Sequence, residues 1–402
     1  MQTLVLSGRG RRWAESGHPW IYGNDIASGE AEPGEVAAYA APDGRVLGHG
    51  LYSRASKIAL RTIARGADAP PDDWVERRVA DAVALRAQHG LLDARGACRL
   101  LAGDADGIPG LVADRYADVL VLQCGTLGAD RLRARVVDAL RAALPFALRA
   151  VLDRSDAAAR RLEGLEPRVE WLAGVAAGES PGPIEVCEDE LVYAVDVEGG
   201  HKTGHYLDQR DNRRLAARAA AGARVLDVCC YDGLFGLHAL RAGAREVVFV
   251  DQNQRALERA RANVERNAGA AGRGGAERCR YERADASTEL RRLGEAGERF
   301  GVVVLDPPAF AKRRDEVEGA LRGYRELNRR ALALCADGGL LVTASCSYNV
   351  LPPVFLDVLR AAAADSGRRV VLEEYRGAAP DHPVLLTLPE SWYLKCAFLR
   401  VR

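Results

Sequence analysis

A chain of 402 residues with 48% hydrophobic and 28% charged side chains can bury sizeable cores, and at about 100–200 residues per domain it holds roughly two to four domains. Its 56 Lys and Arg balance its 56 Asp and Glu, so net charge gives no sign of a nucleic-acid partner and any basic surface must be local. No apolar run nears the ~20 residues of a membrane span, no leader pattern opens the chain, and nine cysteines without a C-x-x-C spacing argue against a disulfide framework or a zinc site, so a reducing cytoplasm is the expected compartment.

Residues 1 to about 66 read as short β-segments, in which GEVAAYAA and RVLGHGLYS alternate between Pro-Gly and Asp-Gly turns. GRGRR at 8–12 and HPWIYGNDI at 18–26 set basic residues beside aromatics, which suits RNA backbone and bases. Trp20 and Tyr22 also read as the core of a small barrel. ADAPPDD (67–73) marks a linker and 74–89 an amphipathic helix. Residues 98–124 read as strand, glycine-rich loop and strand. The loop GDADGIPG lacks the alternating ligands and final Glu of a calcium loop, and it reads as a turn. A helix near 129–143, a strand at 150–153, a capped helix over 153–165 and a hairpin over 184–197, turned at Glu188-Asp189-Glu190, follow. The expected domains are 1–68, 69–183 and 184–402, the middle one without a catalytic cluster of its own.

GGHKTGHYLDQRDNRRL (199–215) packs hydrogen-bonding groups ahead of a helix start and reads as a cap over a ligand. The next stretch, 223–251, predicts a strand (225–229), a turn at Tyr231-Asp232-Gly233, a helix (234–242) and a strand (247–250) closed by Asp251, 24 residues after Asp227. An acid in that position accepts hydrogen bonds from ribose hydroxyls. The turn is not G-x-G-x-x-G: it offers Gly233 and Gly236, with Tyr231 and Leu234 where glycines would sit. Backbone amides then lack close access to a pyrophosphate. A nucleoside without phosphates fits better, and S-adenosylmethionine is such a ligand. The alternation continues through a helix (253–267), a glycine-rich gap, a strand (281–284) ending at Asp285, and a strand (301–305) ending at Asp306-Pro307-Pro308-Ala309-Phe310. A helix (319–335) runs to Asp337-Gly338-Gly339, and a strand (340–344) ends at Ser345-Cys346-Ser347. A further helix and strands at 369–375 and 393–401 complete an α/β sheet.

Ligands of such sheets lie over the carboxyl ends of the strands, which brings Asp227, Asp251, Asp285, Asp306 and Cys346 together although they span 120 positions. The two prolines after Asp306 fix a rigid rim and remove two donors, leaving Asp306 as acceptor and Phe310 as a stacking face for a flipped base. Lys312, Arg313, Arg314, Arg322, Arg325, Arg329 and Arg330 form a basic stretch that reads either as phosphate contacts or as a solvated helix face. A thiol near cations or amides becomes a nucleophile. Cytosine C5 is activated for methylation when a thiolate adds at C6, a chemistry that needs one cysteine and one proton acceptor. Cys346 reads as that thiol or as a buried strand-end residue.

On these residues the chain resembles the bacterial PUA-domain-containing class I 23S ribosomal RNA cytosine-5 methyltransferases. The likeness rests on HPWIYGNDI, GHGLYSRASKIALR, GDADGIPGLVADRY, GHKTGHYLDQRDNR, DPPAFAKRRDEVEGALRGYRELN and SCS, and covers nearly the whole chain. It implies a Rossmann-like class I methyltransferase sheet, an N-terminal PUA-like β-barrel and a small α+β middle domain. It implies Cys346 as nucleophile and Asp306 as the residue that orients or deprotonates the base. Tyr206, Gln209, Arg210, Asp227, Gly233, Asp251, Gln252, Asp285, Asp306 and Pro307 would surround S-adenosylmethionine, and Pro308, Phe310, Lys312, Arg322 and Tyr324 the RNA. The implied partner is large-subunit ribosomal RNA, with no membrane and no metal; a homodimer is compatible with the sequence but not specified by it. The chain departs from the family at Asp232-Gly233-Leu234, where Thr and a glycine pair are usual, and at Cys229, where an aromatic is common; Cys229 and Cys230 are competing thiols. The rival readings are a base-nitrogen methyltransferase in which Cys346 is structural, and an RNA-binding protein with an inactive methyltransferase fold. A small-molecule methyltransferase would leave the N-terminal module without a task.

Overall fold

The computed structural model describes residues 1–269, 275–311 and 314–402. Most of the expected glycine-rich gap, and Lys312 and Arg313, lie outside the described residues. The chain forms two compact units: Met1–Cys187 with Val195–Leu207 and Pro380–Ser391, and Glu188–Ala194 with Asp208–Ala379 and Trp392–Arg402.

The first unit holds two sheets. One has six strands, in the order Trp20–Tyr22, Ile58–Arg65, Val46–Tyr52, Val36–Ala40, Thr3–Leu6, Ile26–Ser28. Alternation turns Leu4, Leu6, Ala37, Tyr39 and Leu60 into its core. GRGRR is not β as expected: the Ser7 hydroxyl accepts the Gly10 N–H and caps a helix, Gly8–Glu15. The other sheet has five strands, in the order Arg168–Ala173, Ala150–Ser155, Val119–Cys124, Leu111–Tyr116, Ala97–Ala102, with the helices Trp74–Gln88 and Leu127–Ala143 contributing to the same core. Residues 97–124 therefore give three strands, not two, because Ala117 takes a left-handed φ of 50° and reverses the chain. The capped helix expected over 153–165 is instead the end of a strand and a 3₁₀ turn, Ala158–Glu163.

Two sequence features of this unit are absorbed by packing. In GDADGIPG, Asp106 clamps the fully buried Arg86 through two bonds of 2.7 and 2.8 Å, and Asp104 accepts the indole N–H of Trp20 at 2.8 Å. Of the polar groups in 199–207, Thr203 donates to Asp114 and meets the Tyr116 hydroxyl, whose oxygen also accepts the His205 N–H. The upstream half of the segment read as a ligand cap is thus tied to its own unit.

The second unit is one seven-stranded sheet. Numbering its strands within this unit, they are β1 Arg224–Val228, β2 Glu246–Asp251, β3 Cys279–Arg283, β4 Phe300–Leu305, β5 Cys335–Ser345, β6 Val370–Arg376 and β7 Lys395–Val401. Their order is β3-β2-β1-β4-β5-β7-β6, parallel through β5, with β7 antiparallel to both neighbours. Its helices are α1 Arg210–Ala217, α2 Leu234–Arg241, α3 Gln254–Arg266, α4 Ala286–Glu295, α5 Val317–Leu334 and α6 Pro352–Ser366. The continuous apolar runs of β1, β2, β4 and β5 are buried, as parallel strands covered on both faces must be. The Asp337-Gly338-Gly339 sequence is a bulge inside β5 rather than a helix stop: Phe300 pairs with Cys335 and Val302 with Leu340, and Gly338 has a φ of 75°.

The order reverses between β1 and β4, which opens a crevice at their carboxyl ends. Helix α2 lies so near the sheet that a Cβ on Gly236 would meet Phe249 Cε1 at 2.1 Å. Phe249 is fully buried and cannot yield. Gly236→Ala is therefore expected to cost about 1–3 kcal/mol through overpacking. A urea midpoint unchanged from the parent would refute this close fit.

Candidate active site

The loop after β1 is built from strained backbone. Cys229 and Tyr231 hold left-handed φ values of 61° and 52°, and Gly233 follows at 77° as the residue preceding α2. Such values cost of order 1–3 kcal/mol each for non-glycine residues and concentrate at ligand clamps. The strain is held by fixed acceptors. The Tyr231 N–H reaches Asp251 Oδ2 at 3.0 Å, the Asn253 N–H reaches Asp251 Oδ1 at 2.9 Å, and the Asn263 amide donates to the Asp232 carbonyl at 3.0 Å. Asp251 is thus oriented at the end of β2 by two backbone donors, with further lone pairs available.

Asp227 sits one residue inside the end of β1 and is buried, its Oδ2 accepting the Gly236 N–H at 2.9 Å. Burial pushes its carboxyl up to about 7, against the Gly236 hydrogen bond, and the charges of Asp306, Asp251 and Asp232 push it the same way. Asp285 is exposed and caps α4 by accepting the Thr288 N–H. Asp251, Asp306, Asp227 and Asp285 all act on one group: after burial, they raise the Cys229 thiol. Four carboxylates at the ends of four neighbouring parallel strands thus share one edge of the sheet, and each disfavours a thiolate at Cys229. Cys230 is likewise pushed well up, by burial first. Both cysteines stay protonated near neutrality, which removes them as competing thiols.

The rim after β4 is tied to the end of β5 through one hydroxyl. Ser347 Oγ, fully buried, accepts the Phe310 N–H at 3.1 Å and the Ala311 N–H at 3.4 Å and meets the Tyr324 hydroxyl at 2.9 Å. Asp306 Oδ2 accepts the Gln209 side-chain amide at 3.0 Å, and Gln209 is held by Asn212 at 2.6 Å. Pro307 is buried and Pro308 exposed, and Phe310 is half-buried with its ring 4.7 Å from Tyr324. Cys346 is half-buried beside this rim, between the buried Ser345 and Ser347.

Other expected site residues have partners or surroundings of their own. Tyr324 is fully buried and supports Phe310 and Ser347 from behind rather than facing a substrate. Arg322 is exposed and paired with Glu318. Arg325 is bidentate to Asp365, and Arg329 and Arg330 share Glu326. The described part of the basic stretch is thus balanced by acids, a solvated helix face. Arg210 is buried with its Nε 3.9 Å from Glu188, a carboxylate already bound by Arg213 and His238. Gln252 is exposed. Tyr206 belongs to the first unit, where its hydroxyl meets His201 and its ring lies under Lys202. Lys312 lies outside the described residues. Sequence reasoning missed Lys395. It is fully buried on β7 and donates to the carbonyls of Ser347 and Tyr393, both at 2.7 Å. Its only signal was a cation inside the apolar stretch YLKCAFL.

Residues 135–384 match the family described as S-adenosylmethionine-dependent methyltransferase, and residues 4–65 match a PUA-like domain. The chain is 38% identical to ribosomal RNA large subunit methyltransferase I of Erwinia tasmaniensis, over 96% of this chain and 95% of that protein. It is 40% identical to the protein of the same name in Shewanella denitrificans, over 97% of each. Among solved structures it resembles SMU.776, a methyltransferase complexed with SAH, at a TM-score of 0.84 and 20% identity over all of both chains, and a SAM-dependent methyltransferase from Streptococcus mutans, at 0.82 and 19%.

The raised carboxyl of Asp227 has a pH signature. A folded-state value above the unfolded one contributes stability that is complete below about pH 4 and is lost as pH rises through about 7. Asp227→Asn keeps an oxygen for the Gly236 N–H and cannot ionise. Its unfolding midpoint relative to the parent is expected to climb between about pH 5 and about pH 8. A difference that stays constant across that range would show that Asp227 titrates normally.

Proposed function

The chain belongs to the PUA-containing, S-adenosylmethionine-dependent ribosomal RNA large subunit methyltransferase I family, and from that premise we propose that it methylates C5 of a cytosine in 23S ribosomal RNA through a covalent bond to Cys346. The observation that carries the reading is the half-buried Cys346 at the end of β5, joined through its neighbour Ser347 to the Asp306-Pro-Pro rim.

The site's chemistry fits the cofactor. Four carboxylates along one sheet edge suit a ligand that carries hydroxyls and a positive centre, and they oppose one that carries phosphates. S-adenosylmethionine supplies, when bound, an electrophilic methyl group on a sulfonium. Asp251 would hold the ribose hydroxyls; Asp285, Gln252, Gly233, Asp227, Gln209, Pro307 and Arg210 are assigned to the remainder of the pocket. Asp306, oriented by Gln209, faces the reacting end.

On the substrate side, Phe310 offers its ring to an unstacked base and Pro308 the rigid edge beside it. The Cys346 thiolate forms a bond to C6 of the cytosine, and the ring electron pair moves to C5. After methyl transfer the acceptor at Asp306 takes the C5 proton, the C–S bond breaks and the ring is restored. Tyr324 holds Phe310 in place, and Arg322 is assigned to the approach of the RNA. The module at 1–68 is assigned to RNA binding, 69–183 to a spacer and 184–402 to catalysis. The exposed Trp13, stacked on His18 with ring centroids 4.6 Å apart, is the aromatic surface of the first of these.

Cys346→Ala is expected to lower methyl transfer to ribosomal RNA by at least ~10³-fold and to abolish the trapped adduct with 5-fluorocytosine RNA. Undiminished turnover excludes the covalent mechanism, and turnover without any adduct in the parent points to a base nitrogen as acceptor. Asp306→Asn is expected to reduce kcat by ~10²–10⁴-fold while the adduct still forms. An adduct lost together with turnover would move Asp306 from proton handling to thiol activation or base binding.

A further inference from the structure

We propose that Lys395 is a positioning residue for Cys346: its buried ammonium holds the adjacent sulfur as the thiolate and fixes the loop that carries it. The proposal rests on the reading of Cys346 as nucleophile and adds the group that activates it.

The geometry comes from strand pairing. β7 runs antiparallel to β5 with Lys395 directly opposite Ser345. From there Nζ reaches forward to the carbonyl of Ser347 at 2.7 Å, and to that of Tyr393 at 2.7 Å. Lys395 therefore touches the residues on both sides of Cys346. Its side chain is fully buried, and among the described residues it makes no ion pair. Two neutral carbonyls orient a cation but do not neutralise it, and a buried charge without a counter-charge is costly. On this proposal that role falls to the thiol of Cys346, the residue between the paired Ser345 and the contacted Ser347.

The ionisation behaviour agrees. Burial pulls Lys395 down to about 8, and Cys346 acts in the opposite direction. Two ionisable groups that interact this closely titrate as a pair. Forming the active pair needs no outside reactant: the S–H bond breaks, the proton joins the Lys395 amine, and a neutral thiol and amine become thiolate and ammonium. Among the described residues, other titratable groups near the pair have partners of their own. Tyr324 on α5 feels Cys346, and its hydroxyl shares a hydrogen bond with that of Ser347. Tyr393 gives its hydroxyl to Asp208 at 2.7 Å. Cys396 and Asp306 act on one another, and Cys346 is the one titratable group among the described residues that acts on Lys395.

The test reads the thiol and not the reaction. The full chain is alkylated with iodoacetamide over a pH series, and modification of Cys346 is followed on its own peptide by mass spectrometry. In the parent the alkylation midpoint is expected at least ~1 unit below the ordinary thiol value of about 8.5. Lys395→Met is expected to slow alkylation at neutral pH about tenfold, and Lys395→Arg to keep most of the parent rate. A parent midpoint at or above the ordinary value overturns the proposal, and this result needs no variant to fold. A natively folded Lys395→Met with the parent's midpoint also overturns it. The 5-fluorocytosine adduct keeps the two ideas apart: a low midpoint without adduct removes the nucleophile but keeps the pair, and an adduct with an ordinary midpoint does the reverse.

Discussion

Carboxylates repel, and the second unit collects four of them where its parallel strands end. Asp227, Asp251, Asp285 and Asp306 come from the ends of four neighbouring strands, and their charges all raise the thiol of Cys229. Crowding like charges at a partly dry point is unfavourable unless the backbone or a ligand answers them. The structure answers in part: Gly236, Tyr231, Asn253 and Thr288 each direct a backbone N–H at one of the acids, and Gln209 directs its amide at Asp306. The strained loop from Cys229 to Gly233 follows from this, since only a tightly wound turn brings the amide of Tyr231 to Asp251 and that of Gly236 to Asp227. What the backbone leaves unanswered suits a cationic, hydroxyl-rich ligand, in keeping with a methyltransferase that uses S-adenosylmethionine.

A second set of interactions fixes the segment that follows β5 and carries Cys346. Ser347 is its pivot. Its hydroxyl gathers the rim of β4 and the hydroxyl of Tyr324, and its carbonyl accepts a hydrogen bond from Lys395. The serines around Cys346 are therefore supports for the loop that carries the sulfur. Phe310 gains its orientation from the same arrangement, since Tyr324 packs against its ring and Phe355 meets Tyr324 edge-on at 5.6 Å. The two halves of the site, acids on one side and thiol and aromatic ring on the other, meet at Asp306.

Much of the second unit was legible in the sequence because parallel strands write themselves plainly. Buried on both faces, they appear as apolar runs ended by polar residues, and all seven strands lie within a few residues of their expected positions. The first unit was harder. Its short helix hides in GRGRR, which reads as basic surface until Ser7 is recognised as a cap. The turn at Ala117 uses no glycine, so one strand was counted where two exist. The edge strand Arg168–Ala173 carries few buried residues to mark it.

Chemical type was set by local sequence: acids after apolar runs, a proline-stiffened rim, one cysteine between serines. Those features follow from residue identity and from the period of the strands, and they needed no coordinates. Partnership was decided only by folding. Whether an arginine faces RNA or a glutamate four residues away, whether an aspartate binds a ligand or caps a helix, and which lysine lies against the thiol all depend on chain segments distant in sequence. Lys395 and Ser347 are 48 residues apart and meet because β7 inserts antiparallel beside β5. A charge buried by such a pairing has no periodic signature, because its environment is supplied by another strand.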